Sequence, residues 1–192
     1  MQLHRREPDP LFDVFPVLRT ERCTLRRLTL DDAPALFSML SDAELARFTP
    51  RKPLQRVGDA VDLIRSVGLD FATRRAVRWG ACLEPDGPIV ATVGLHEWDR
   101  YHRHVSIGFD VDREYWGEGL GHEVVSAVVQ FAFDHLYVHR FEAYVMRGNQ
   151  KSERLLTSVG FKKEGELLQR MYKNGHQYDV MVYGLLRAFG EE

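Results

Sequence analysis

Cysteine is scarce: Cys23 and Cys82 are the two in 192 residues, far apart in the chain and forming no ligand pair. A disulfide framework and a thiolate metal site are both excluded, and the expectation is a reduced, cytoplasmic protein. No apolar run approaches the roughly 18 residues that a membrane span needs. The opening MQLHRREPDP has basic residues but no apolar segment behind it, so no secretory leader is expected. Neither sign of charge is in excess: 26 Lys and Arg face 28 Asp and Glu, for a net charge of −2. That balance gives no electrostatic case for a nucleic-acid partner. Among the eight histidines, His96, His102 and His104 fall close together, but without HExxH or i, i+4 spacing. No metal is expected.

What is present is an ordinary globular composition, 44% hydrophobic and 28% charged, at a length that suits one domain. Pro8, Pro10 and Pro16 block regular structure at the start, so residues 1–17 are expected as an extended arm before a single domain over 18–192. RCTLRRL (22–28) alternates like a strand. Thr29 with Asp32 can cap a short helix through Leu40, with Pro34 in its first turn. Residues 57–75 have helical spacing. Two strand-like runs, AVRWGACLE and PIVATVGLHEW, flank Asp86-Gly87, a hairpin signal. HVSIGFDV (104–111) and RFEAYV (140–145) are further strands. Between them, polar residues at 122, 126, 130 and 134 mark the wet face of a helix over 121–136. That strand, helix and strand have the length of a right-handed parallel crossover. Asn149 and Gly160 bracket a helix over 150–159 as N-cap and C-cap. A long hairpin turns near Asn174-Gly175. The expected class is α/β of the α+β type, a mostly antiparallel sheet with helices on its faces.

DREYWGEGLGHEVV (112–125) carries Gly117, Gly119 and Gly121 between a strand and a helix start. Backbone N–H groups there lack intrahelical partners and sit at the positive end of the helix dipole. Missing side chains let an anion approach, which is the physics of a phosphate cradle. A Walker loop is excluded, because His122-Glu123 follows the last glycine. The G-x-G-x-G spacing also differs from the dinucleotide G-x-G-x-x-G. A bare glycine-rich helix entry without a ligand stays open from these residues alone.

WGEGLG (116–121) resembles the Q/R-x-x-G-x-G/A signature of the GCN5-related N-acetyltransferases. IGFDVDREYWGEGLGHE, NQKSERLLTSVGFKKEG, YKNGHQYDVMVYGLL and LRTERCTLRRLTLDDAPALF resemble segments of the branch that acetylates N-terminal amines of ribosomal proteins. The match runs from about residue 18 to 187. Trp116 stands where the broad signature has Gln or Arg, as is usual in that branch.

The resemblance implies a sheet whose one parallel strand pair splays to admit acetyl-CoA, the co-substrate, and an acceptor that is a primary amine. It implies that Phe109, Asp110 and Val111 pair with the pantetheine arm and aim the thioester carbonyl. Amides of the loop, Trp116, Gly117, Glu118, Gly119, Leu120, Gly121 and His122, would hold the pyrophosphate. Asn149 would bond the pantetheine arm and Ser152 would bond or protonate the sulfur. Leu156 stands where the wider superfamily often has a tyrosine acid. The base is open among Glu97, His96, Asp99 and a water chain, with Glu97 the side chain chosen. Glu164 is expected to be structural, and Met171 takes a place where a carboxylate would have been useful. A homodimer is compatible with the family. Alternatives are a small-molecule amine acceptor, such as a polyamine or aminoglycoside, a non-catalytic acyl-CoA sensor, and a nucleotide-binding module.

Overall fold

In the computed structural model, which describes residues 12–188, the strand-like runs become one eight-stranded sheet. The strands are β1 (Leu18–Arg19), β2 (Thr24–Arg27), β3 (Val77–Cys82), β4 (Ile89–Asp99), β5 (His104–Val111), β6 (Arg140–Met146), β7 (Lys162–Lys173) and β8 (His176–Leu186). Their order is β1-β2-β3-β4-β5-β6-β8-β7. Neighbours are antiparallel except β5 and β6, joined by the expected crossover. β4 is central and its first seven residues are all buried, which explains why IVATVGL is apolar but for Thr92. β7 lies at the edge, and most of its residues are exposed.

Helices cover both faces. On one, α4 (Leu120–His135) and α5 (Gln150–Val159) pack over Trp79, Phe141 and Phe161. The buried stripe of α4 is Leu120, Val124, Val125, Val128, Val129 and Ala132, the helical spacing opposite its polar positions. On the other face, α1 (Ala33–Ser41), the short α2 (Ala43–Ala46) and α3 (Val57–Ala72) bury Leu36, Met39, Leu40 and Ile64 beside Leu28 and Ile89. Thr29 and Asp32 form the expected cap: the Thr29 N–H donates to Asp32 Oδ2 at 2.8 Å, ahead of a 3-10 turn that leads into α1. Arg26 also forks onto Asp32 with two bonds of 2.8 Å.

Pro8 and Pro10 of the expected arm lie outside the described residues. Residues 12–17 form no strand, and within them Phe12 and Phe15 pack on the core while Val14 and Val17 are exposed. The Phe12 and Phe15 rings meet Phe71 at 5.3 and 5.0 Å, and Trp79 Nε1 donates to the Pro16 carbonyl at 2.8 Å.

The feature that positions the site is where β5 and β6 part. Their ladder runs only through His104↔Arg140, Val105↔Phe141 and Ser106↔Glu142. Beyond it, β5 stays paired to β4 as far as Val111, and β6 to β8 as far as Met146. Each strand follows its outer neighbour, so a wedge opens in the middle of the sheet.

Candidate active site

The wedge is lined by backbone. The Asp112 N–H donates to the Val90 carbonyl at 2.8 Å, toward β4. Backbone groups alternate along a strand, so those of Phe109 and Val111 face the other way, toward β6. Trp116 Nε1 takes the Val111 carbonyl at 2.8 Å, and the Lys151 ammonium sits 3.7 Å from the centre of the Trp116 ring. Asp110 sends its carboxylate to the opposite face of the sheet, where it meets Arg51 and Arg78.

At the end of the wedge the glycine loop enters α4. Gly117 and Gly119 have φ of 88° and 79°, the left-handed region that other residues occupy only under strain. Gly119 is the N-cap of α4 and offers no side chain to it. The bond from Glu123 N–H to the Gly119 carbonyl is the first i to i−4 bond, so the amides of Leu120, Gly121 and His122 have no acceptor within the helix. Gly121 serves a different end from its neighbours: a Cβ there would overlap Leu155 Cδ1 of α5. Thus two glycines shape the bare loop and the third lets two helices touch. The Leu120 side chain is buried, leaving only its backbone for the loop. Glu118 is exposed, and His122 is too, with Nδ1 3.0 Å from the Ser158 hydroxyl.

A clamp from the turn between β1 and β2 holds this loop. Glu123 accepts from the Thr20 hydroxyl, the Arg22 N–H and Arg22 Nε at 2.5, 2.8 and 2.6 Å. Arg22 Nη1 then donates to the Glu118 carbonyl at 3.1 Å. Burial pushes the Glu123 carboxyl up, but these three donors more than reverse it, and the net direction is down. Glu123 is therefore ionised and fixes Arg22 beside the cradle.

α5 starts beside the same loop, through Lys151 on Trp116 and Leu155 on Gly121. The Asn149 side chain caps it, accepting from Ser152 N–H at 3.3 Å. The half-buried Ser152 hydroxyl makes no hydrogen bond among the described residues. Leu156 is fully buried in the core.

On the face of α1 and α3, titratable groups gather where the wedge begins. Glu97 lies in the bulged end of β4 with φ of 50°, and its carboxylate accepts from the Ser106 hydroxyl at 3.1 Å. Across the ladder, Glu142 accepts from Arg140 Nε at 2.9 Å and the Tyr144 hydroxyl at 2.8 Å. Arg140 also forks onto Glu164 at 3.0 and 2.5 Å. Arg140 holds both carboxyls below the usual carboxylate range, whereas burial and Glu142 push the Tyr144 phenol up to about 12. The His96 ring stands over Gly108, with Cε1 3.3 Å from where a Cβ would be. Burial, then Arg78, pull its imidazole below the ordinary histidine range, so it is neutral at pH 7. Asp99 is tied into the following turn by the His102 N–H at 2.8 Å.

Residues 22–162 match the family described as the acetyltransferase (GNAT) domain. The chain belongs to the GNAT acetyltransferase family. A Bacillus subtilis relative named uncharacterized N-acetyltransferase YoaA is 35% identical over 174 residues, covering 91% of this chain and 98% of that protein. Spermidine N(1)-acetyltransferase of Escherichia coli is 26% identical over 151 residues, 79% of this chain and 78% of that enzyme. The solved structure of RimL, a ribosomal L7/L12 alpha-N-protein acetyltransferase in complex with coenzyme A, shares the fold at a TM-score of 0.80 and 18% identity. It covers 89% of this chain and 98% of that one.

Within this GNAT chain the structure brings Trp116 to His122 together with the start of α5, and puts Phe109 and Val111 along the wedge. Glu97 lies on the other face, at the wedge's closed end. The sequence singles out none of Arg22, Tyr144, Arg78 and Arg51, and Glu142 only as a mimic of a dinucleotide-site acid. For Arg140, Glu142 and Tyr144 a signal was available, since alternate strand residues share one face. Arg22 and Arg51 lie on the far side of long sequence separations from their partners, and no local pattern marks them.

Proposed function

We propose that this GNAT enzyme transfers the acetyl group of acetyl-CoA to a primary amine, the N-terminal amine of a protein. The observation that carries the proposal is a wedge of unpaired strand backbone ending at an uncapped helix N-terminus. The inward-facing backbone of Phe109 and the N–H of Val111, whose carbonyl already accepts from Trp116 Nε1, suit a pantetheine arm added as a strand. The amides of Gly117 to His122 suit its pyrophosphate. Asn149 would bond the arm, keeping its capping role, and Ser152 is free to donate to the sulfur. Acetyl-CoA supplies an activated acyl group. The neutral amine attacks the thioester carbonyl, a C–N bond forms, the C–S bond breaks, and the departing sulfur takes a proton through Ser152. Glu97, held by Ser106, takes the proton that the amine must lose. The two cysteines are both buried and free, in keeping with a cytoplasmic setting.

The test is thiol release from acetyl-CoA with a panel of N-terminal peptides, polyamines and aminoglycosides, with mass spectrometry locating the acetyl group. Acetylation of peptide α-amines is expected. Intact CoA binding without turnover of any amine would overturn the proposal in favour of an acyl-CoA sensor. A polyamine acceptor is the second reading, supported by the spermidine-named relative and by Glu97 and Glu142 beside the wedge.

A further inference from the structure

Between the sheet and helices α1 and α3 lies a cavity of about 250 Å³. Leu36, Leu40, Leu63 and Val67 form its apolar wall. On its sheet side, Gly94 of β4 pairs with Gly108 of β5, and the two missing side chains leave room above them. The Arg78 side chain lies across them: a Cβ on Gly94 would stand 3.1 Å from its Nε, and one on Gly108 3.6 Å from its Nη2. Its guanidinium bonds the Thr92 hydroxyl at 2.9 Å and meets Asp110 at 3.5 Å. Arg51, from the segment after α2, meets the same Asp110 at 3.3 Å. The other carboxylate of the lining, Asp70, is engaged by Arg75 at 2.8 Å. His96, also in the lining, is neutral. Two guanidinium groups therefore share one carboxylate in a confined space, and one positive charge is left without a match. Burial and the neighbouring Arg51 pull on the Arg78 guanidinium in the direction of losing its proton, against Asp110. A partly buried unmatched charge gains from a partner, and a planar guanidinium fork is shaped for a carboxylate.

We propose that this cavity reads a carboxylate carried by the acceptor: the substrate is an amine with an acidic group a few bonds away, as in a protein N-terminus whose first or second residue is Asp or Glu. The proposal rests on the amine-acetylation reading and narrows it. β5 orders the parts, with Asp110 at the cavity and Ser106, holding Glu97, toward the closed end of the wedge. A polyamine has no anion to offer Arg51 and Arg78, and would bring more positive charge to them. A free acidic amino acid offers the same carboxylate as a peptide, so both belong in the test.

The experiment measures kcat/KM with acetyl-CoA for peptides identical except for Asp, Asn or Lys at the second position, beside free aspartate and spermidine. The Asp peptide is expected to exceed the Asn peptide by about tenfold, from one charge-assisted hydrogen bond, with Lys lowest. In Arg51→Gln the Asp-to-Asn ratio should fall to near one. Arg51 is in a loop with its side chain 32% exposed, so this replacement removes charge without emptying the core. In parallel, the CoA-loaded protein is titrated calorimetrically with the N-acetylated peptides, which needs no turnover, and the same order is expected. Activity above that of the Asn peptide with free aspartate but not with the Asp peptide would assign the carboxylate to a small amino acid and overturn the N-terminus. Equal rates and affinities for Asp and Asn, or a preference for Lys or spermidine, would overturn the carboxylate proposal. Turnover without acid preference removes this inference alone. Ordered binding of the acetylated peptides without any turnover removes the transfer reading alone.

Discussion

Three substitutions at two glycines of the loop, Gly119 and Gly121, should fail in three different ways. Gly119 has φ of 79° and the nearest atom to an added Cβ is Arg22 Nη2 at 3.8 Å, so there is room but the wrong backbone region. Gly119→Ala is expected to cost about 1 kcal/mol in folding, a fall of roughly 2–4 °C in Tm, with CoA affinity reduced only modestly. Gly119→Asp carries no greater backbone strain, since Asp tolerates the left-handed region at least as well as Ala. It adds a negative charge beside the amides of Leu120 to His122. At about 5 Å and an effective dielectric constant of 20, repulsion from one phosphate charge is about 3 kcal/mol, or on the order of 100-fold in affinity. Gly121→Ala is a packing defect: Leu155 must move, at about 1–3 kcal/mol, and α5 moves with it. Thermal denaturation and calorimetric titration with CoA on the same three variants separate the effects. If Gly119→Asp binds CoA as tightly as Gly119→Ala, the α4 N-terminus does not hold the pyrophosphate.

Ser152→Ala should lower kcat by about 10- to 100-fold while CoA affinity, measured by titration, stays near that of the parent; an unchanged kcat would refute proton delivery through this hydroxyl. Lys173, whose ammonium donates to the Ala46 and Arg47 carbonyls, ties the β7–β8 hairpin to the C-terminal end of α2. Lys173→Met should lose about 1–3 kcal/mol in denaturant unfolding, because the Ala46 and Arg47 carbonyls lose their donor; an unchanged unfolding midpoint would refute the tie. Burial pushes the Asp32 carboxyl up, but the Arg26 fork and the Thr29 N–H pull it further down. A carboxyl lowered by folding contributes stability above its unfolded pKa of about 3.9, lost as pH falls through the folded value. The stability gap between the parent and Asp32→Asn should hold from pH 7 to pH 5 and shrink below about pH 4; a constant gap to pH 2 would refute that role for the pair.

Local signals were legible in the chain because their physics is local. Asn149 and Gly160 bound α5 at Gln150–Val159, since a cap bonds an amide three residues on and a C-terminal glycine adopts φ of 107°. Asn174-Gly175 turns the last hairpin, and the polar stripe at 122, 126, 130 and 134 places the wet face of α4. The bareness of the loop was visible too, as a glycine carries no side chain whatever surrounds it; the structure adds that Gly117 and Gly119 both have positive φ. α2 and the segment carrying Arg51 were not, because that stretch has too short a period to show a face.

What the sequence by itself determined is the order of the longer elements and the place of the cradle, set by bonds spanning a few residues. Tertiary structure alone decided where β5 leaves β6, because each strand's pairing is completed by β4 or β8 rather than within itself. It also decided that Gly121 answers to Leu155, and that Arg51, Arg78 and Asp110 meet in one cavity. Charges drawn from three distant segments interact only once the sheet and its helices have closed around them.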